Sequence, residues 1–201
     1  LRCLSGSVRK HFYDKLDLLL YWVILARPQF ADGFGLATEA DGFRTPFSTE
    51  GHCNVFNLHG GLHLFQKGDG DLQKRLMGPD GVIAAIGNTI TRDKRLPLYV
   101  AEGTSFATLS RIYASPSLRH CYRKLCEADG PIFVYGLSAS EQDAHIYEAL
   151  FRSDMTHLYY CIHRPTAVLE DVAGELARFK ERAGSEVEYS FVDSESANVW
   201  G

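Results

Sequence analysis

Two histidines four residues apart, His59 and His63, lie in the stretch "NVFNLHGGLHLF". An imidazole titrates near neutrality, so it can take up a proton, hold a metal, or sit neutral in a core. The i, i+4 spacing puts both rings on one face only of a helix. Here Gly60 and Gly61 intervene and the preceding residues alternate as in a strand. The Glu of an H-E-x-x-H site is also absent, so no metal is expected. His63, between Leu62 and Leu64, reads as a structural histidine. His59 differs because it falls where a strand ends, before two glycines that permit close backbone approach. A general base and a structural histidine both remain open at His59.

A second set of polar side chains follows the apolar run "PIFVYGL": Gly136, Ser138, Ser140 and Asp143. Small and polar residues at strand ends such as this one suggest a nucleotide-sized pocket. Ser140 and Asp143 also resemble a variant capping box at the start of a helix.

These residues need elements to carry them. "PIFVYGL" (131–137), "HLYYCIH" (157–163) and "VEYSFVDS" (187–194) have strand character. Residues 140–153 and 167–184 carry apolar side chains at helical spacing, and Gly184 suits a helix end. Strand, helix, strand, helix, strand with short loops implies right-handed crossovers and a parallel sheet. Upstream, "PLYVAEG" (97–103) and "NVFNLHG" (54–60) read as further strands, and "FATLSRIYAS" and "SLRHCYRKLCEA" as helices. "DKLDLLLYWVILA" (14–26) reads as a buried helix or strand, and "MGPDG" (77–81) as a turn.

The expected architecture is one α/β domain over 1–201, three-layered and doubly wound on a mostly parallel sheet, with a loop-rich excursion at 28–51. In such sheets ligands bind beyond the carboxyl ends of the strands. The candidate positions there are His59 to Gly61, Glu102 to Ser105, Gly136 to Asp143 and Asp193 to Ser196.

Composition narrows the function. The 201 residues carry a net charge of −4 and are 45% hydrophobic. No basic footprint for nucleic acid is present, and Arg119, Arg123 and Lys124 read as a solvated helix face. The most apolar run, ten residues long, is too short for a bilayer. It follows charged residues with no cleavage site after it, so no secretory signal is expected, and the chain reads as cytoplasmic. Five scattered cysteines without a C-x-x-C pair suit neither a disulfide framework nor a zinc ribbon.

In that order, "NLHGGLHLF", "LPLYVAEGTS", "SPSLRHCYRKL" and "IFVYGLSASEQDAHI" resemble the bacterial family called domain of unknown function 4917. The resemblance runs from about Asp17 to the final "SANVWG". That family is similar to the sirtuin-like (DHS-like NAD/FAD-binding) Rossmannoid fold. The resemblance implies NAD as ligand or substrate, His59 as the base that deprotonates a ribose hydroxyl, and Asp17 as a second catalytic residue. It further implies Gly60, Gly136, Ser138, Ser140 and Asp143 as contacts to the dinucleotide.

Two departures stand out. Where the family reads Asn-Tyr-Asp before "LLLYW", this chain has Lys15, Leu16 and Asp17. The N-terminal strand and Gly-rich phosphate loop of the fold are not found, as if this were the C-terminal part of a longer chain. The function the resemblance implies is a sirtuin-like NAD-binding domain, an NAD glycohydrolase of bacterial stress or phage defence, whereas the two departures favour a module without turnover. The alternatives are a catalytically degenerate nucleotide-binding or protein-interaction module, and a general α/β domain with no link to NAD. A nucleotide is the expected partner, with no nucleic acid, membrane or metal, and a homo-oligomer is compatible with this.

Overall fold

The computed structural model describes residues 2–5, 8–13, 25, 27–35, 41–44, 46–67, 72–76, 78–100, 103–163 and 169–196. Asp17 and Lys15 lie outside them, as do most of 14–26 and the last five residues.

The main sheet has six strands: β1 (Arg2–Ser5), β2 (Val8–Tyr13), β3 (Val55–Asn57), β7 (Asp129–Tyr135), β8 (Asp154–Ile162) and β9 (Tyr189–Asp193). Their order across the sheet is β3-β2-β1-β7-β8-β9. β7, β8 and β9 are mutually parallel, as their alternation with helices requires, and β2 is parallel to β3. β1 is antiparallel to both of its neighbours, β2 and β7. Five strands therefore share one direction and β1 opposes them. Counted within this sheet alone, the strand order is 3-2-1-4-5-6 with the first strand reversed.

A second, antiparallel sheet is formed by β4 (Gly60–Gln66), β5 (Leu72–Lys74) and β6 (Pro97–Tyr99), in the order β5-β4-β6. Two expectations are corrected here. "NVFNLHG" is not one strand: it breaks after Asn57 and resumes at Gly60 in the other sheet. "PLYVAEG" contributes only β6, and to the small sheet rather than the large one.

Among the described residues the helices of eight residues or more are α1 (Val82–Thr91), α2 (Ser105–Ala114), α3 (Pro116–Cys126), α4 (Ala144–Phe151) and α5 (Leu169–Ala183). α5 puts Leu169, Val172, Leu176 and Phe179 on one stripe, and all four join the main core. Its end is closed by Gly184 at φ 65° with the Ser185 amide bonded to the Lys180 carbonyl, a conformation that suits a residue tolerant of positive φ. Ser115 caps α3 ahead of Pro116, a residue suited to a first helical turn. On β7 and β8, Ile132, Val134, Leu158, Tyr160 and Ile162 alternate into the same core. Each such side chain contributes about 1.5–3 kcal/mol by leaving water. The small sheet packs its own cluster, with Phe43 and Phe65 edge to face at 5.7 Å against Ile86.

The described residues of 28–51 hold isolated bridges rather than regular elements. Residues 78–81 form the expected turn. Arg123 and Lys124 both pair with Glu127 at the surface, which holds its carboxyl below the usual range and fits the solvated face. No helix among the described residues is long and apolar enough to cross a membrane.

Candidate active site at the carboxyl edge

His59 sits in the two-residue bend that carries the chain from β3 into β4. Gly60 has φ 79°, and a Cβ there would lie 2.0 Å from the Leu98 carbonyl oxygen. The close approach this glycine allows is thus made by the neighbouring strand β6. The Val100 amide donates to the His59 carbonyl at 2.9 Å, so the bend is tied to β6 on both sides of that contact. The His59 side chain is buried at 8% exposure.

The His59 ring meets His145, in the first turn of α4. Nε2 of one ring is 2.9 Å from Nε2 of the other. Their centroids are 5.2 Å apart with the planes 28° apart. Nitrogens this close at that centroid distance mean that the rings meet edge to edge, as a hydrogen bond in the ring plane requires. One proton is shared across that contact: one ring donates and the other accepts. His145 is held on every side. Its amide donates to Ser105 Oγ at 3.0 Å, its carbonyl accepts from the Tyr122 hydroxyl at 2.9 Å, and its Nδ1 lies 3.2 Å from Ser105 Oγ. Burial pushes the Tyr122 phenol up, so it stays protonated and can donate.

His145 and Ser105 open onto a groove of about 660 Å³, whose walls include Tyr122, Glu141, Glu148 and Arg152. That volume lies in the usual range for small-molecule sites. The charges of the wall are paired. Glu141 binds Arg182 at 2.6 Å and approaches Arg178, which holds its carboxyl below the usual range. Glu148 meets Arg152 at 3.1 Å and Arg182 at 3.0 Å.

The other expected residues lie close by in sequence but not in that wall. Gly136 takes φ 71° just past β7, and a Cβ added there would meet nothing within 4 Å. Ser138 and Ser140 donate to the same Asp143 carboxylate oxygen, at 2.9 and 3.1 Å. Ser140 therefore makes no side-chain cap to backbone, and the turn is closed between side chains instead. The structure brings His59 to the groove through His145, while Ser138, Ser140 and Asp143 form a separate cluster on the preceding turn.

His63 is a buried residue of β4, and burial with nearby Lys74 lowers its pKa to about 3, so it stays neutral. Among the described residues no three His, Cys, Asp or Glu are placed to hold a metal.

His145 is hidden in the sequence because "DAHIYEAL" reads as an apolar helix. The usable signal is a lone histidine among Ala144, Ile146 and Tyr147, one turn into a helix that follows a strand end. Ser105 is within reach as part of the Glu102 to Ser105 strand-end group.

These observations define a mixed α/β domain with a predominantly parallel main sheet and a buried imidazole pair beyond its carboxyl edge. The chain belongs to the family described as domain of unknown function 4917 (DUF4917), whose model matches residues 8–200. None of the curated proteins matches it.

Proposed function

We propose that the chain is a sirtuin-like nucleotide-binding domain that hydrolyses the nicotinamide–ribose bond of NAD. The observation that carries this reading is the His59–His145 hydrogen bond beside an open groove. His59 follows β3 and His145 follows β7, strands separated in the sheet by β2 and β1. Two residues from distant strands meeting beyond the same edge mark the region where such sheets bind ligands.

In this reading the C1′–N bond breaks and neutral nicotinamide leaves. Water adds to the oxocarbenium-like carbon, and the pair accepts the proton released. In the same reading the turn at Gly136, Ser138, Ser140 and Asp143 takes ribose hydroxyls, with Asp143 exchanging the two serine donors for sugar donors.

A second reading, binding without turnover, is favoured by the reversed β1. Its chain direction gives no strand-to-helix phosphate loop at the carboxyl edge, where a dinucleotide fold places one. Nicotinamide release and NAD titration calorimetry on the full chain separate the two. Release by the parent that is lost in His59→Ala supports hydrolysis. Heat of binding without release supports the binding module, and neither signal overturns both.

A further inference from the structure

We infer that Ser105 is a nucleophile, activated through His145 and His59, and that the groove takes a carboxylic ester or similarly activated acyl donor. This goes beyond the nucleotide reading and does not depend on it.

The argument starts from Ser105 Oγ. It accepts the His145 amide N–H at 3.0 Å and lies 3.2 Å from His145 Nδ1. A hydroxyl has one proton to give. With the amide on its oxygen, that proton is directed to the Nδ1 lone pair. His145 then carries its own proton on Nε2 and donates it to His59 Nε2, 2.9 Å away. Every ring nitrogen in that line has a complementary role, and His59 keeps its remaining proton on Nδ1. Moving one proton along each bond leaves Ser105 as alkoxide and His59 as imidazolium, so the positive charge formed on attack can be shared by the two rings. This is a nucleophile, a base and an orienting group in hydrogen-bonded sequence, the geometry that activates serine on unrelated folds.

The surroundings fit the same role. Ser105 lines the groove, whereas His145 and His59 are 4% and 8% exposed. The hydroxyl thus meets solvent-borne substrate while its bases stay out of water. Ser105 is also the first residue of α2. The amides of a first helical turn favour the negative oxygen that an attacked carbonyl develops.

The step balances without a further reactant. Oγ bonds to the carbonyl carbon as its proton passes to His145 Nδ1. The carbon–oxygen bond to the leaving group breaks, and the departing alcohol takes that proton. Water then hydrolyses the acyl-serine by the same route in reverse. His59 touches no substrate in this scheme and is a positioning residue.

The test is covalent labelling of the full chain by a fluorophosphonate, with the site located by peptide mass spectrometry. The expected result is one adduct, on Ser105, absent in Ser105→Ala and formed about 100-fold or more slowly in His145→Gln. His59→Gln should slow labelling less and displace its pH midpoint, which a merely structural loss would not do. For the parent, the labelling rate should rise with pH and level off in the imidazole range. This profile needs no variant, so misfolding of one leaves the proposal testable. No adduct on Ser105 under conditions that label a known serine hydrolase overturns it. So does a rate that climbs with pH without levelling, or one unchanged in folded His145→Gln. Nicotinamide release is a separate readout, so either reading can fail alone.

Discussion

Gly60→Ala should be among the most damaging small changes in this protein, and the contacts at the bend set its size. Residue 60 sits at φ 79°, where an L side chain costs about 1–2 kcal/mol. The new Cβ would be 2.0 Å from the Leu98 carbonyl oxygen and 2.9 Å from its carbon, both backbone atoms that cannot rotate away. Relief requires β6 to retreat by about an ångström, since Cβ contacts below 3.0 Å are not tolerated. The Val100 amide, now 2.9 Å from the His59 carbonyl, moves with it, to about 3.9 Å and out of hydrogen-bond range. A buried amide left without its acceptor costs roughly 1–3 kcal/mol. The sum is about 2–5 kcal/mol, a large part of the ~5–15 kcal/mol that holds a typical domain. Gly136→Ala supplies the comparison. It shares the positive φ, at 71°, but a Cβ there meets nothing within 4 Å. It should cost only the backbone term of about 1–2 kcal/mol. Urea unfolding of both variants, followed by circular dichroism, measures the difference. Equal losses would refute the claim that Leu98 occupies the space beside Gly60.

Three other outcomes are expected. His63 has a folded pKa of about 3 against an ordinary value of 6.5, so below pH 6.5 only the unfolded chain takes up its proton. Its contribution to stability is complete above pH 6.5 and falls by up to about 1.4 kcal/mol per unit as pH drops toward 3; His63→Leu should remove that slope, and urea midpoints at pH 7, 5 and 4 with parallel pH dependences would contradict this. Lys74→Met strands the Asp32 carboxylate, whose side chain is 6% exposed, without its ammonium partner; the loss should reach about 3–5 kcal/mol and be partly recovered by adding Asp32→Asn, whereas a loss under about 1 kcal/mol in thermal unfolding would refute the pairing. Burial pushes the Cys53 thiol up to about 12 and holds Cys121 above its ordinary value, while Cys126 is exposed; iodoacetamide at neutral pH should alkylate Cys126 ahead of the other two, as judged by peptide mapping.

The parts of the fold that are legible in sequence are those where one periodicity governs a whole element. β7, β8 and β9 and the helices between them follow directly from alternating and 3.6-residue apolar patterns. Boundaries differ by a few residues, as at β7, which runs over Asp129–Tyr135 rather than 131–137. What stays hidden depends on contacts distant in sequence. The break at His59 requires Leu98 to approach Gly60, and no local pattern announces that. β6 joins the small sheet because β4 is its partner, a choice that apolar character alone does not make. β1 and β2 pair antiparallel, with Ser5 opposite Val8. At the site, His59 is recognisable from its place at a strand end. His145 is not, because its environment reads as core until the partner ring is seen.

The bend at His59 also has a thermodynamic consequence. His59 immediately precedes the small sheet and Ser105 follows it six residues after β6, while His145 belongs to the large one. The hydrogen-bonded line is therefore assembled from two folding units and exists only when both are closed. Opening of the β4–β5–β6 unit alone would pull His59 away from His145, while Ser105 stays with α2, whose Leu109 and Ile112 pack in the main core. Proteins open in such cooperative pieces well below their global unfolding free energy. The His59–His145 contact should thus be lost in mild denaturant before the helices melt.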